Sequence, residues 1–163
     1  MTGSYLSLGS NLGDRKMHLQ TAVSSLGRAV RAVSSIYRTP PWGGVEQDDF
    51  YNIAVITEDD KVSPQGWWEH CQKLELAAER QRLVHWGPRT LDVDVITVDV
   101  HGHPVVSTDP ELTLPHPRAA ERAFVLVPWV EIDPTAELPG VGAIADLLEE
   151  LDVGGITKVG HVH

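Results

Sequence analysis

Residues 90–100 read TLDVDVITVDV, and the other predicted elements are arranged around this segment. Its β-branched residues and its two-residue alternation predict a strand from Thr90 to Val100. Upstream, Ser63 and Pro64 mark the start of a helix that should extend to about Arg80, because proline is tolerated at the first helical position. The strand therefore completes a pattern in which strands and helices alternate.

The remaining elements are predicted outward from this strand in both directions. Further strands are predicted over Ser4–Leu8, Val30 to about Tyr37, Phe50–Thr57 and near Val105. Helices are predicted from Arg15 to about Arg28, from Ala119 to Val127 and from Ile144 to Leu151. The order β-α-β-β-α-β predicts a ferredoxin-like α+β sandwich with an antiparallel sheet and additional C-terminal elements. Because no linker or repeat divides the chain, residues 1–163 are expected to form a single domain.

The bulk composition argues against several classes of protein. The formal net charge of −10 argues against nucleic-acid binding, since phosphate backbones select basic surfaces. No apolar run is long enough to span a bilayer, and the N-terminus does not read as a signal peptide. Cys71 is the only cysteine, which fits a reducing compartment. We therefore expect a cytoplasmic monomer without membrane or nucleic-acid partners.

Asp92 and Asp94 are the first candidates for chemistry. They stand two apart on the predicted strand, so both side chains point to one face, with backbone sites roughly 6.6 Å apart. The same face is predicted to continue as Ile96, Val98 and Val100, where two unpaired negative charges would be costly. A cation removes that cost, and an all-oxygen ligand set favours Mg²⁺ shared with substrate phosphates. The alternative is an exposed acidic pair that protects a sheet edge.

Arginines supply the complementary charge. Five of the nine arginines lie between residues 80 and 122, a stretch without lysine, which favours forked recognition of phosphate. Arg89 directly precedes the acidic pair, while Arg80 and Arg82 could close over a triphosphate or simply end a solvated helix. His116 lies between prolines and could donate to a phosphate oxygen. Phosphoryl transfer from Mg-ATP fits this combination, because it requires mainly positioning and charge neutralisation.

A second pocket is predicted around a rigid loop. Residues 39–43 read TPPWG, and Phe50, Asn52 and Phe124 are placed to join them. Backbone groups and an asparagine can read the edge of a heteroaromatic ring while aromatic side chains cover its faces. Phe50 and Phe124 could instead be ordinary core residues.

Separated segments between Tyr5 and about Asp133 form a recognisable set. They are GSNL (9–12), YRTPP (37–41), Asn52 with AV (54–55), Gln72 with LEL (74–76), WGPRTLDVD (86–94), LPH (114–116) and Arg122 with Phe124. In this order and spacing the chain resembles the 6-hydroxymethyl-7,8-dihydropterin pyrophosphokinases of folate biosynthesis. The segment WGPRTLDVD is the most specific of these pieces.

The resemblance implies that the pterin hydroxyl attacks the β-phosphorus of ATP, so that pyrophosphate is transferred and AMP leaves. It implies two Mg²⁺ ions on Asp92 and Asp94, with Arg80 and Arg89 as further catalytic residues. The implied ATP contacts are Gln72, Arg80, Arg82, Arg89, Val95, Thr113, His116 and Arg122. The implied pterin contacts are Thr39, Pro40, Pro41, Trp42, Gly43, Phe50, Asn52, Trp86 and Phe124.

Some positions depart from the family pattern. Glu79 stands where a glycine is common, and His85 and Glu111 stand where some members have basic residues, so the last two weaken the positive field around ATP. The competing hypothesis is a non-catalytic ferredoxin-like module that binds a nucleotide, which the fold alone would not exclude.

Overall fold

The computed structural model describes residues 2–41, 47–78 and 90–162. Its four helices and eleven strands confirm the predicted mixture of helices and antiparallel sheet. The helices are α1 (Arg15–Leu26), α2 (Pro64–Ala78), α3 (Ala123–Ile132) and α4 (Ile144–Glu149). No helix in these ranges is long and apolar enough to cross a membrane.

Six strands, each paired with the next, form the path of the main sheet. They are β1 (Thr2–Ser10), β3 (Ser35–Thr39), β4 (Phe50–Glu58), β5 (Asp92–Val100), β6 (His103–Pro104) and β11 (Thr157–His161). Their order is β11-β3-β4-β1-β5-β6, and every pair is antiparallel. Strand β2 (Val30–Val33) also pairs with β4. Two hairpins lie outside this sheet, namely β7 (Ser107–Asp109) with β8 (Leu112–Leu114) and β9 (Glu137–Leu138) with β10 (Gly142–Ala143).

Side-chain alternation along the central strands separates two apolar cores. Leu6 and Leu8 of β1 join the core that contains residues of α1 and α2, such as Leu19 and Trp67. Tyr5 points the other way and packs with residues of α3 and α4. Its ring stacks on Trp129 at a centroid distance of 4.1 Å, and its hydroxyl donates to the Val125 carbonyl at 2.7 Å. Helices therefore cover both faces of the sheet.

The single strand predicted from Val30 to Tyr37 is wrong in one respect, because it is divided at Ser34. The Ser34 N–H donates to the Ala54 carbonyl at 2.9 Å, and its hydroxyl oxygen accepts the Ala54 N–H at 2.8 Å. The side chain thus occupies a position that a strand backbone would fill. The chain passes from β2 to β3 around this joint while both strands remain paired with β4.

The apolar stripe predicted along Ile96 and Val98 is also wrong. The register of β5 against β1 shifts between Val95 and Thr97, so Ile96 is an additional residue in a bulge. Ile96 packs in the core with α3, whereas Val98 joins the core on the opposite face. The alternation that places Asp92 and Asp94 on one face therefore ends at this bulge.

Smaller differences concern the ends of elements. Strand β1 continues to Ser10, two residues beyond its predicted end at Leu8. The helix predicted from Ala119 begins as a short 3₁₀ turn over Ala119–Glu121, and α3 starts at Ala123. Strand β11 and the two hairpins were not predicted, because their short segments lack a periodic pattern.

Candidate active site

A cavity of about 310 Å³, here called cavity A, opens on the sheet face that also carries α3. The predicted ring-binding residues Thr39, Pro40, Phe50, Asn52 and Phe124 line it. Its wall also contains Asp92, Asp94 and Arg122. The ends of β3, β4 and β5 supply most of these residues, so strands distant in sequence bring the predicted ring pocket and the acidic pair together.

Pairing with β1 fixes the two aspartates at the wall of cavity A. Asp92 lies opposite Gly9 and Asp94 opposite Ser7, so small residues leave space beside both carboxylates. The Arg122 guanidinium lies 3.6 Å from an Asp94 carboxylate oxygen and 5.6 Å from the Phe124 ring centroid. Because the Asp94 side chain is 43% exposed, this ion pair is weak and an arriving ligand can replace it.

The orientation of the Asn52 side-chain amide in cavity A is fixed by its neighbours. Its Nδ2 donates to the Thr39 hydroxyl at 2.6 Å, and both side chains are buried. A Cβ atom on Gly9 would lie only 2.5 Å from the Asn52 Oδ1, so this orientation requires glycine at position 9. The amide can therefore present a fixed donor and acceptor edge to a planar heterocycle.

A second cavity of about 290 Å³, here called cavity B, lies beside the first. The predicted ATP-contacting residues Gln72, Val95, Thr113 and His116 all line it. Asp94 lines both cavities. A carboxylate thus stands where the space for a ring meets the space for a second ligand.

His116 is held in one orientation at the edge of cavity B. Its backbone N–H donates to the Ile96 carbonyl at 2.8 Å, at the bulge in β5. The Arg118 N–H donates to its Nδ1 at 3.2 Å, so Nδ1 carries no proton and Nε2 carries the N–H of the neutral ring. Burial lowers the pKa of His116; Asp94 opposes this, and Arg122 and Arg118 lower the pKa further. The ring is therefore a neutral donor at pH 7.

Cys71 also lines cavity B but is suited to packing rather than to chemistry. Its side chain is buried, and burial raises the pKa of the thiol well above its usual range. The neighbouring carboxylates of Glu75 and Asp94 raise the pKa further. Because the thiolate is the reactive form, this cysteine is inert at neutral pH.

Other predicted site residues have different outcomes. Pro41 is half-buried and is not among the described residues that line either cavity. Arg122, predicted at ATP, lines cavity A next to Asp94. Predictions that fall outside the described residues concern Trp42, Gly43, Arg80, Arg82, Trp86 and Arg89.

The donor set around Asp92 and Asp94 fits a magnesium ion shared with a substrate. Within residues 2–41, 47–78 and 90–162, no three histidine, cysteine, aspartate or glutamate side chains group together as a metal site. Two half-exposed carboxylates at a cavity wall are instead the arrangement by which proteins hold Mg²⁺ together with phosphate oxygens. A closed all-protein site of the zinc type is not formed by these residues.

Sequence reasoning missed several lining residues. Ser7 and Gly9 face cavity A, and the alternation Tyr5-Ser7-Gly9 would have found them had the strand been extended past Leu8. Arg118 directly precedes the 3₁₀ turn over Ala119–Glu121, and both Arg118 and Glu121 line the same cavity. Glu75 belongs to the motif LEL (74–76) and lines neither cavity, but its carboxylate accepts the Val93 N–H at 2.8 Å.

Comparisons with known proteins identify the family to which the sequence is similar. A sequence model of the family described as 7,8-dihydro-6-hydroxymethylpterin-pyrophosphokinase (HPPK) matches residues 5–134. A 2-amino-4-hydroxy-6-hydroxymethyldihydropteridine pyrophosphokinase from Methylorubrum extorquens is 44% identical, over 98% of this chain and 99% of its own length. The protein of that name from Mycobacterium tuberculosis is 45% identical, over 93% of this chain and 85% of its own length.

The fold also matches solved structures. A crystal structure of Plasmodium falciparum HPPK-DHPS superposes with a TM-score of 0.67 at 12% identity, over 91% of this chain. The chain spans only 45% of the length of that structure, and at this identity the match concerns the fold alone. The sequence matches carry the assignment further: the chain belongs to the 7,8-dihydro-6-hydroxymethylpterin-pyrophosphokinase family.

Proposed function

We propose that this chain transfers pyrophosphate from ATP to the hydroxymethyl group of 6-hydroxymethyl-7,8-dihydropterin, a step of tetrahydrofolate biosynthesis. The products are the dihydropterin diphosphate and AMP. The observation that carries this proposal is the position of Asp94, which lines both cavities. A transfer between two substrates requires charge-neutralising groups where the substrates meet, and the acidic pair stands at that point.

Cavity A is the proposed pterin site. The fixed Asn52 amide would pair with the polar edge of the bicyclic ring, and the Thr39 hydroxyl would hold that amide in place. Phe50 and Phe124 would cover the ring, with the loop residues Pro40, Pro41, Trp42 and Gly43 and with Trp86 completing the pocket as the family resemblance implies. The half-buried aromatic rings favour a flat heterocycle over a flexible alcohol.

Cavity B is the proposed ATP site. Gln72, Val95 and Thr113 would contact the nucleotide, and the neutral His116 would donate its Nε2–H to a phosphate oxygen. Arg122 would exchange its weak contact with Asp94 for a phosphate oxygen. The family resemblance assigns Arg80, Arg82 and Arg89 to the phosphates, with Arg80 and Arg89 most important for the transfer. Glu111 lines this cavity and reduces its positive potential.

Asp92 and Asp94 are the proposed ligands of Mg²⁺, and we infer two ions. When bound, such ions neutralise phosphate charge and lower the pKa of a coordinated hydroxyl. The aspartates would orient the triphosphate against the pterin hydroxyl by their fixed spacing on β5. No separate general base is then required from the residues of the two cavities.

The proposal also covers the architecture of the molecule, its location in the cell and its oligomeric state. The strand order β3-β4-β1-β5 and its helical connections support a ferredoxin-like architecture, in which the chain works as one domain. We infer a cytoplasmic location, supported by a single buried cysteine and by the use of ATP, and we propose that the chain works as a monomer. The family relationship favours catalysis over a non-catalytic nucleotide-binding module.

The test is the identity of the nucleotide product. Purified protein with Mg-ATP and the hydroxymethyl-dihydropterin should form AMP, and Asp94→Asn should lower kcat by roughly 10²–10³-fold while circular dichroism stays unchanged. Asp99→Asn is the matched control, because Asp99 lies on the same strand but is exposed and away from both cavities. Formation of ADP instead of AMP, or equal activity of the two variants, would refute the proposal.

A further inference from the structure

Glu75 belongs to a sequence motif but lines neither cavity. It lies on α2, three residues after Gln72, and its carboxylate accepts the Val93 N–H at 2.8 Å. Val93 stands between Asp92 and Asp94 on β5. Glu75 therefore contacts the backbone that spaces the two carboxylates, without lining the cavity that holds them both.

The Val93 N–H needs such a partner. Val93 is buried, and a buried N–H without an acceptor is strongly unfavourable. Strand β1 pairs with one edge of β5, and β6 pairs with the other edge only at Asp99 and Val100. Among the described strands, none pairs with the β6 side of β5 beside Val93. Glu75 supplies from a helix the acceptor that a neighbouring strand would otherwise supply.

The bulge at Ile96 makes this contact more important. Beyond Val95 the register of β5 shifts, so the ladder with β1 is interrupted two residues after Asp94. Bulges increase the local twist of a strand and re-aim its side chains. The hydrogen bond from Val93 to Glu75 on the opposite edge holds the strand just before that irregularity.

We propose that Glu75 is a positioning residue, a role that rests on the proposed function. Glu75 fixes the backbone between Asp92 and Asp94 and thereby sets the spacing of their carboxylates. Its role is to hold an acceptor oxygen at Val93, not to add a third negative charge to the site. The negative charges of Glu75 and Asp94 both act on the Cys71 thiol, so the charge of Glu75 is the main rival explanation.

Two polar substitutions separate these roles. Glu75→Gln keeps an acceptor oxygen at the same side-chain length and removes the charge, whereas Glu75→Asp keeps the charge and withdraws the oxygen by one methylene. Both retain a polar side chain at a half-buried position, so the fold should persist. Glu69→Gln and Glu69→Asp are the controls, because Glu69 is exposed on the same helix.

We expect Glu75→Asp to lower kcat and raise the Mg²⁺ concentration for half-maximal activity by roughly 10–100-fold, the usual effect of losing a group that orients metal ligands. Its KM for pterin should stay within about twofold, and Glu75→Gln should resemble the wild type. Amide hydrogen exchange of Val93 should accelerate in Glu75→Asp alone.

The reverse pattern, with Glu75→Gln impaired and Glu75→Asp active, would overturn the proposal in favour of the charge. Unchanged Val93 exchange and unchanged kcat in Glu75→Asp would overturn it as well. The measurement of amide hydrogen exchange at Val93 does not depend on catalysis. A wild-type protein that makes no AMP would therefore refute the proposed function while the Glu75–Val93 contact could still be tested.

Discussion

Gly9 shows how one missing methyl group can define a binding site. It lies in β1 opposite Asp92, and a Cβ atom there would meet the Asn52 Oδ1 at 2.5 Å. Real Cβ atoms do not approach an oxygen so closely, so the amide or the strand would have to move. Because the Thr39 hydroxyl already holds the other end of the amide, the side chain cannot turn away without losing that bond.

Gly9→Ala should therefore weaken pterin binding without affecting ATP. Loss of the Asn52 hydrogen bonds, at about 1–3 kcal/mol, corresponds to a roughly 5–150-fold rise in the dissociation constant for pterin. Gly160→Ala is a matched control, because Gly160 is also in a strand and nothing lies within 4 Å of its added Cβ. Titration calorimetry with pterin and an ATP analogue separates the effects. Equal pterin affinity in both variants would contradict the role of Gly9.

At the scale of elements, the joint between β2 and β3 depends on one hydroxyl. Ser34 is almost completely buried, and its oxygen accepts the N–H of Ala54, which is fully buried. The same hydroxyl donates to the Ser35 carbonyl at 2.7 Å. The joint leads into β3, whose last residue, Thr39, lines cavity A.

Ser34→Ala should destabilise the fold by about 1–3 kcal/mol, because it leaves the Ala54 N–H buried without an acceptor. For a chain of this length, this corresponds to a fall in Tm of about 2–12 °C. Ser25→Ala removes an exposed hydroxyl that also donates to a backbone carbonyl, so it should change Tm little. Thermal unfolding followed by circular dichroism gives the Tm of both variants. Similar Tm values for the two would contradict the prediction that the Ser34 hydroxyl stabilises the joint between β2 and β3.

Elements with strong periodicity could be predicted from sequence, and irregular ones could not. Helices α1 and α2, strand β4, and β5 as far as Val95 follow the predicted spacing, because local pattern and burial agree there. The bulge at Ile96 and the break at Ser34 arise from pairing between distant strands, which no local pattern contains. Of the site, the motifs predicted some residues of each cavity, such as Asn52 in cavity A and His116 in cavity B, whereas the Glu75 contact with Val93 emerges only from tertiary packing.

At the scale of the whole molecule, the C-terminal segment is connected to cavity A. The family match ends at residue 134, yet β11 pairs with β3 along the edge of the sheet. A Cβ on Gly155, in the turn before β11, would lie 3.5 Å from the Pro40 ring. Pro40 lines cavity A, so the C-terminal segment lies behind one wall of that cavity.

Glu131 joins these parts. Near the end of α3, its carboxylate accepts the Ser35 N–H at 3.0 Å, the Ser35 hydroxyl at 2.9 Å and the Tyr37 hydroxyl at 2.7 Å. Lys158 of β11 adds a favourable charge. Burial acts to raise the pKa of Glu131, but the hydrogen bonds from Tyr37 and Ser35, together with Lys158, outweigh it and lower the pKa below its ordinary value of 4.5. The C-terminal end of α3 is thereby tied to β3.

The lowered pKa fixes the sign of a pH dependence. A carboxylate whose pKa is lower in the folded state stabilises the fold fully above its unfolded pKa near 4.5, and this contribution is lost as the pH falls through the folded pKa.

Glu131→Gln should therefore lower Tm by about 1–4 °C at pH 7, a modest effect because the group is largely exposed. The difference from the wild type should shrink as the pH falls below about 4.5. Glu149→Gln, on an exposed position of α4, is the control. A Tm difference for Glu131→Gln that is constant from pH 3 to pH 8 would show that the ionised carboxylate does not hold α3 to β3.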